Sequence, residues 1–412
     1  MTSPRLETVD EFRLRAREWL RHNMPAIGDF ERDVPGRRAT ERALQRKLFD
    51  GGFAGICFPA EYGGLGLTPA HQRAFTEEAA GYDMPSSFNV PTLGILAATL
   101  VDFGSEEQKQ RHLPAILRGE ELWVQFLSEP SGGSDLAGCL TRADRDGDVF
   151  ILNGSKIWSS GAHECDYAMC LARTNWDAPK HRGLTMFILK IHQPGVTVEQ
   201  IRQVDGSMEF CQEFFDDVHI PVADVVGEID DGWTVATRLL THERTAVGGG
   251  SIYTSGRSVG HDTGYSATDN LTTELAKVTG ATGNAQVRQL LAEAHVRQLV
   301  SGALVRRVSH GIANGKLPAQ SGAVMKLFTA GNVIRRAEIG LEIAGNTAAS
   351  WPEGDETPGR VISEMTLWRQ SMSLGGGSNE IQRNIISERV LGMPREYAAD
   401  RDVPYREVKR GG

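Results

Sequence analysis

The N-terminal part of the chain carries apolar residues at the spacing of an α-helix. After Asp10, an acidic residue able to cap a first turn, the apolar positions recur on one helical face. These positions are Phe12, Ala16, Trp19 and Leu20. A second helix is predicted over 40–49, just before a Gly-Gly pair, and a third begins at Ser105. The pattern therefore predicts a helical N-terminal domain over residues 1–121.

Between residues 122 and 230 the pattern changes to short apolar runs separated by turns. Asp146-Gly147 and Asn153-Gly154 flank one such run and indicate a hairpin-like arrangement. The predicted strands are Val149–Leu152, Lys156–Ser159, Tyr167–Ala172, Leu184–Lys190, Val196–Arg202 and Glu209–Ile220. Their spacing predicts a central β domain, a small barrel or sandwich, over residues 122–230.

The helical pattern returns over residues 231–412, which we expect to form a third domain. The main predicted helices are Trp233–Val247, Val287–Ala313, Ala323–Ile343 and Ile381–Val390. Gly248–Asn270 is rich in Gly, Ser and Thr and is predicted to be a loop. The chain is thus predicted to be an α+β multidomain protein, with helical, β and helical parts in that order.

Composition narrows the function further. The 412 residues carry 44 Lys and Arg against 53 Asp and Glu, a net charge of −9, which does not favour nucleic-acid binding. The longest apolar run, Leu93–Val101, is too short for a membrane span of about 20 residues, and the N-terminus lacks the apolar core of a secretory signal. Five cysteines without a CxxC pair indicate reduced thiols, so we expect a cytoplasmic protein.

Two familiar catalytic patterns fail in their context. Gly256-Arg257-Ser258-Val259-Gly260 has the letters of a nucleophile elbow, but no buried strand precedes it and no helix is predicted after it. His242-Glu243 opens like a zinc-protease helix, yet the second histidine position holds Ala246. We therefore expect neither a serine hydrolase nor a zinc site.

Several segments together resemble a known family. The turn within Trp123–Asp135 combines glycines, serines and a proline where helical sequence gives way to strands, a plausible ligand site. The segments carrying the resemblance are Phe58–Gly66, Gly104–Lys109, Leu127–Asp135, Asn153–Ser160, Glu243-Arg244 and Gly376–Asn384. In this order, along roughly the whole chain, they resemble the acyl-CoA dehydrogenase family of flavoproteins.

The resemblance implies a fold, a reaction and partners. The C-terminal helices would resemble a four-helix bundle, and the protein would be a tetramer. The reaction would be an FAD-dependent α,β-desaturation of an acyl-CoA thioester: a base removes the α-proton while the flavin N5 takes a hydride from the β-carbon. Electrons would then pass to an electron-transfer flavoprotein or a similar acceptor.

Residue roles follow from the same resemblance. The positions matched to flavin contacts in the central domain are Gln125, Leu127, Ser128, Trp158, Ser159 and Ser160. Ser378 and Glu380 match residues that touch FAD near its pyrophosphate and ribose. The substrate-binding positions are Ser134, Arg244 and Gly376, of which Gly376 would offer its backbone N–H to the thioester oxygen. The alternative for Trp158 is a buried aromatic of the sheet.

The position of the base is also read from the residues themselves. Many members of the family place a catalytic Glu where this chain has Gly376, whereas others place it before an Arg, as in Glu243-Arg244. One face of the predicted helix carries Ala236, Leu239, Leu240, Glu243 and Val247. Burial disfavours the ionised carboxyl and so favours proton exchange near neutral pH, which predicts Glu243 as the base. The alternative is a buried ion pair with an arginine, for which Arg244 points about 100° away.

Two departures from the family pattern leave the assembly open. The Arg-x-x-Phe-Gly stretch that binds FAD of a neighbouring subunit is replaced by Asp269–Lys277. Glu342–Asn346 stands where a Gln-initiated Gly-Gly segment is common. The chain could therefore be one subunit of a mixed assembly, a heterotetramer with partial or no FAD binding of its own, or a non-catalytic homologue. The acyl group is not fixed by the sequence.

Overall fold

The computed structural model describes residues 7–26, 37–85, 88–247, 251–254, 270–350 and 357–409. The chain divides into two compact units. The first comprises Met1–Arg202, Met208–Val259 and Ala399–Gly412, and the second comprises Gln203–Ser207 and Gly260–Ala398. The predicted helix that carries Glu243 thus belongs to the same unit as the β domain.

The N-terminal part of the first unit is helical, as predicted. Its helices are α1 (Val9–Asn23), α2 (Arg37–Asp50), α3 (Pro69–Glu78), a π-helix (Phe88–Ala97) that continues into α4 (Ala98–Phe103), and α5 (Glu106–Leu117). The predicted start of α5 is confirmed, because Ser105 and Gln108 form a capping box. The predicted cap of α1 was wrong: Thr8 caps the helix in a box with Glu11, and Asp10 lies inside the first turn.

The central part is an eight-stranded sheet in the described residues. Its strands are β1 (Trp123–Phe126), β2 (Arg142–Asp146), β3 (Val149–Ser160), β4 (Tyr167–Arg173), β5 (Leu184–Lys190), β6 (Val196–Gln200), β7 (Phe210–Pro221) and β8 (Val225–Val226). The order is β6-β7-β3-β2-β4-β5-β8, and β1 pairs in parallel with β4. This order brings β3 between β7 and β2, with β1 beyond the main path.

The structure corrects part of the predicted strand pattern. The hairpin at Asp146-Gly147 is confirmed, because Asp146 pairs with Val149. Asn153-Gly154 is not a turn, since β3 runs through it with a register shift at this point. Gly154 has φ +141°, and a Cβ there would lie 2.8 Å from the Thr141 Cα, so the shift requires glycine. The two predicted strands Val149–Leu152 and Lys156–Ser159 are therefore one.

A long helix, α6 (Gly232–Val247), completes the core of the first unit. Its buried Val235, Ala236 and Leu239 belong to the same hydrophobic cluster as the sheet residues. The π-helix approaches α6 closely, because a Cβ on Gly94 would lie 2.8 Å from the Ala246 Cβ. The face of α6 that carries Glu243 is therefore held against both the sheet and the π-helix.

The second unit is helical. Its helices are α7 (Leu271–Val278), α8 (Ala285–Ala313), α9 (Gly322–Ala344), α10 (Pro358–Trp368), α11 (Ser371–Leu374) and α12 (Asn379–Ile385), followed by a π-helical turn (Ile386–Val390). A core cluster includes Leu275, Ile339, Ile343 and Ile362. The order of helical, β and helical parts confirms the predicted α+β class, while the boundaries after residues 121 and 230 stay predictions. Most of the predicted loop Gly248–Asn270, including the Gly256–Gly260 motif, lies outside the described residues.

Three further findings concern the described ranges alone. None of their helices has both the length and the apolar character needed to cross a membrane. They hold no group of three or more His, Cys, Asp or Glu side chains arranged to bind a metal ion. All five cysteines are described, and each is a free thiol.

Candidate active site

The predicted base Glu243 lies on α6 and is buried, with 9% of its surface exposed. Its Oε2 accepts a hydrogen bond from Nε2 of Gln125 on β1 at 2.7 Å. Its helical face is formed by Ala236, Leu239 and Ala246, which are fully buried. Val247, predicted on this face, is instead 53% exposed at the end of the helix. The structure thus joins two predicted site residues, from a helix and a strand, in one hydrogen bond.

Arg244, next to Glu243, lies in a different environment. Its guanidinium donates to the Thr241 hydroxyl at 3.3 Å, one helical turn away. Arg244 is exposed to solvent, but partial desolvation by its neighbours lowers the pKa of the guanidinium, while the charge of Glu243 acts in the opposite direction. Arg244 therefore contributes positive charge near the carboxyl from the same helix.

A buried ion pair supports the turn that follows β1. Lys156 on β3 is fully buried, and its Nζ donates to Oε1 of Glu129 at 2.9 Å and to the carbonyl oxygen of Leu127 at 3.0 Å. Glu129 also accepts from the backbone N–H groups of Leu140 and Thr141 at 2.7 and 2.9 Å. Burial on its own would raise the pKa of Glu129, but the charge of Lys156 and these donors lower it to about 2.

Lys156 and Glu129 were not predicted as site residues. The sequence did contain a signal, because Lys156 stands in a predicted strand at a position where an apolar residue would be expected. A lysine is almost never buried unless it is paired, so a lysine at such a position indicates a buried acidic partner. The pair fixes the predicted flavin contacts Leu127, which is 7% exposed, and Ser128. A backbone hydrogen bond from the Ile157 N–H to the Ser128 carbonyl at 3.0 Å ties this turn to β3.

Trp158 lies at an irregular point of β3 and faces solvent. It has φ +69°, a left-handed conformation that is strained for a bulky residue, and it coincides with a register shift between Ile157 and Ser159. Trp158 is 55% exposed, and its ring contacts Phe210 edge to face, with the ring centroids 5.8 Å apart. Trp158 is therefore not a buried aromatic of the sheet, and its strain marks a candidate functional position.

Ser159 connects the same segment to the interior. Its Oγ lies 3.1 Å from Oε2 of Glu213 on β7 and 3.4 Å from the carbonyl oxygen of Gln125. Glu213 is fully buried, and burial raises its pKa to about 7 against the effects of Ser159 and Lys156. Glu213 was also not predicted as a site residue. Its signal was an acidic residue within the alternating apolar pattern of a strand.

The predicted residues of the first unit are connected by these bonds. Contacts run from Glu243 through Gln125 to Ser159, and the turn at Ser128 is bonded to β3. Ser160 is exposed at the end of β3, and Ser134 is exposed in the turn after Pro130. In that turn, a Cβ on Gly133 would come within 3.2 Å of the Ser128 Oγ, so glycine keeps the hydroxyl accessible.

The remaining predicted residues lie in the second unit. Gly376 and Gly377 have φ of +67° and +88°, which favours glycine at both positions. The Ser378 hydroxyl accepts from the Ile381 N–H at 3.3 Å and caps α12. The Glu380 side chain is 74% exposed and pairs with Arg383 at 3.4 Å. Because Gly376 carries no carboxylate, this loop can offer a backbone donor but no base.

The central-domain residues fit a flavin. An exposed indole in a strained conformation offers a flat apolar face, and Ser128 and Ser160 offer hydroxyls nearby in the chain. The predicted contact Ser159 differs from them, because its hydroxyl turns inward to Glu213. Oε1 of Gln125 is buried and has no hydrogen-bond partner within the described part of the chain, which leaves an acceptor for a ligand donor. These residues would hold the ring system, and FAD when bound supplies the hydride acceptor.

Comparisons with known proteins identify the family of the chain. Models of the N-terminal, middle and C-terminal domains of acyl-CoA dehydrogenases match residues 7–120, 125–218 and 230–391. Acyl-CoA dehydrogenase IpdE1 of Mycobacterium tuberculosis is 36% identical over 399 residues, 95% of this chain and 99% of that protein.

Two solved structures share the fold along nearly the whole chain. The Tcur3481-Tcur3483 steroid ACAD is 29% identical with a TM-score of 0.72, covering 94% of this chain and 97% of its own. The ChsE4-ChsE5 complex from Mycobacterium tuberculosis is 26% identical with a TM-score of 0.71, covering 96% and 99%. With all three domain models matched in order and a relative aligned along almost its full length, this chain belongs to the acyl-CoA dehydrogenase family.

Proposed function

We propose that the protein is an FAD-dependent acyl-CoA dehydrogenase that desaturates the α,β bond of an acyl thioester, with Glu243 as the base that removes the α-proton. The observation that carries this proposal is the placement of Glu243. Its carboxyl is buried on α6 and bonded to Gln125, two residues before the predicted flavin contact Leu127. A carboxylate held beside the flavin-binding segment is where the reaction needs a proton acceptor.

Different residues of the chain have different roles in this reaction. The Glu243 carboxylate takes the proton from the α-carbon, and its apolar helical face excludes water from the transfer. Trp158 would pack against the flavin ring, and Ser128 and Ser160 would bond to its edge, which sets the orientation of the ring. Gly376 stays a predicted donor to the thioester oxygen through its backbone N–H, and Ser134 and Arg244 stay predicted contacts to the substrate.

For the substrate we propose a CoA thioester with a bulky, ring-bearing acyl group. The support is the similarity to a structure described as a steroid ACAD, together with a base on α6 instead of at position 376. With glycine at 376, this position contributes no carboxylate side chain. Straight-chain and branched thioesters are the competing substrates.

For the assembly we propose a tetramer that includes a related subunit. Two of the similar structures carry two chain names each, Tcur3481-Tcur3483 and ChsE4-ChsE5. This chain also lacks the Arg-x-x-Phe-Gly stretch at residues 269–277 that the family uses to bind FAD across subunits. A homotetramer with one FAD in each subunit is the competing assembly. The electron acceptor would be an electron-transfer flavoprotein or a similar protein.

The test begins with the purified chain, alone and co-expressed with candidate partner subunits. Flavin content per chain is measured first, and then anaerobic flavin bleaching with straight, branched and steroid-derived CoA thioesters. We expect bleaching with ring-bearing thioesters, and we expect α-proton exchange with D₂O to accompany it. Failure to bind FAD or to bleach it in every assembly would refute the proposed activity.

The E243Q variant tests the base. It keeps the side-chain shape and the contact with Gln125 but cannot accept a proton, so α-proton exchange should fall by about 10²- to 10⁴-fold. The control is E228Q, which removes an exposed carboxylate just before α6 and should exchange at the wild-type rate. Retained exchange in folded, flavin-loaded E243Q would refute Glu243 as the base.

A further inference from the structure

The hydrogen bond between Gln125 and Glu243 has the features of a charge-assisted contact. The distance from Nε2 to Oε2 is 2.7 Å, at the short end for an amide donor and a carboxylate. Glu243 is 9% exposed, so little solvent competes for its oxygens. An amide N–H can only donate, and it therefore stabilises the ionised carboxyl more than the protonated one.

Gln125 is presented from a rigid part of the molecule. It lies in β1, where it pairs with Met169 of the buried strand β4. The side chains of Val124 and Phe126 on either side are 3% and 0% exposed. Its backbone carbonyl lies 3.4 Å from the Ser159 hydroxyl. The position of the amide is consequently set by the sheet, whereas Glu243 lies on a helix.

Among the described residues, the other charged groups on the elements packed against Glu243 belong to separate pairs or to its own helix. Arg244 is adjacent on α6, and Asp102 from α4 is bonded to Arg238 and His242 of α6 at 2.5 and 2.8 Å. The π-helix carries no titratable side chain, and β5 carries only Lys190, at its exposed end. A neutral amide thus supplies a donor to Glu243 from the sheet without adding a charge.

We infer that Gln125 is a positioning residue for Glu243: its amide fixes the carboxyl against β1 and stabilises the ionised form that accepts a proton. The catalytic part of this inference rests on the proposed function, in which Glu243 is the base. It also gives Gln125 a role beyond the flavin contact expected from the family, since its Nε2 serves Glu243 while Oε1 stays available to a ligand.

Infrared difference spectroscopy of the full chain tests the coupling without relying on turnover. The carboxyl band of Glu243 is followed from pH 4 to 9 and identified by its loss in E243Q. In Q125L, which removes the donor at similar volume, the titration should move to higher pH. We expect the ratio of protonated to ionised Glu243 at a fixed pH to rise about tenfold. The acidic limb of kcat/KM should move in the same direction.

Gln45 provides a matched control. It is buried in the same unit, its Nε2 donates to the Leu117 carbonyl at 3.0 Å, and its Oε1 also has no partner in the described residues. Q45L should leave the Glu243 band unmoved. If Q125L fails to fold, Q125N withdraws the donor by one methylene and should give the same shift.

The outcomes separate the two proposals. An unmoved Glu243 band in folded Q125L or Q125N, or an equal shift in Q45L, overturns the positioning role of Gln125. If E243Q loses α-proton exchange while the band in Q125L does not move, only this inference fails. If E243Q keeps the exchange, the proposed base fails, and with it the catalytic meaning of Gln125.

Discussion

The buried carboxyl of Glu213 should make the stability of the protein depend on pH in a direction opposite to that of most acidic residues. Glu213 is fully buried on β7, and burial raises its pKa from 4.5 to about 7. The folded state therefore binds this proton more tightly than the unfolded state. The stability that the protonated carboxyl contributes is fully present below pH 4.5 and is lost as the pH rises through about 7.

The size of the effect follows from the shift. A rise of this extent corresponds to about 3 kcal/mol of unfolding free energy, lost between pH 4.5 and 7. E213Q replaces the carboxyl by a neutral amide of the same shape, which can still bond to Ser159. We expect E213Q and wild type to be similarly stable at pH 5. At pH 8 the variant should be the more stable by a large part of about 3 kcal/mol.

Urea denaturation of the flavin-free chain at half-unit pH intervals measures this difference. Because the other titrating groups are common to both proteins, they cancel in the difference between variant and wild type. E209Q, which removes an exposed carboxylate just before the same strand, should show no pH-dependent difference. A flat difference for E213Q, or a variant that loses stability relative to wild type as the pH rises, would refute the assignment of a protonatable Glu213.

Three further predictions concern stability and are also measured by urea denaturation. K156M should lower the free energy of unfolding by about 3–5 kcal/mol, because it leaves Glu129 buried without its cation. Adding E129L should recover much of this loss. If the effects of the two substitutions simply add, the pairing is contradicted. G94A should destabilise the protein by about 1–3 kcal/mol, since its Cβ would lie 2.8 Å from the Ala246 Cβ. An unchanged urea midpoint would show that α6 and the π-helix can move apart without cost. G331A, in α9 with open space around it, should instead stabilise by about 0.5–1 kcal/mol, and a loss of stability there would show an undetected contact.

The sequence pattern predicted the helices and the order of the three parts because these depend on local periodicity. The boundaries of α6, α8 and α9 lie within two residues of the predicted ones, since apolar residues recur at helical spacing along each of them. The strands β1, β2 and β8 were not among the predicted strands. β1 has only four residues, and β2 (Arg142–Asp146) is mostly charged and exposed, so neither has the alternation that marks a strand.

The candidate site was predictable only in part, for a related reason. Glu243 could be placed on an apolar helical face from its spacing alone, but Gln125 could not be connected to it, because that contact joins residues 118 positions apart. Likewise, Lys156 and Glu129 meet through the pairing of distant segments. The roles of Trp158, Ser378 and Glu380 came from family resemblance and not from any periodicity, and they stay predictions.

The irregularity at Trp158 explains why simple alternation gives the wrong face for this part of the site. Along β3, Phe150, Leu152 and Lys156 are buried, so strict alternation would direct Trp158 inward and Ser159 outward. The register shift between Ile157 and Ser159, with Trp158 at positive φ, reverses this order. Trp158 then becomes exposed, while Ser159 turns inward to Glu213 and to the strand of Gln125. One strained residue thus turns the indole outward, where the proposed flavin would pack, and links the same segment, through Gln125, to the proposed base, so straightening this bulge would disturb both at once.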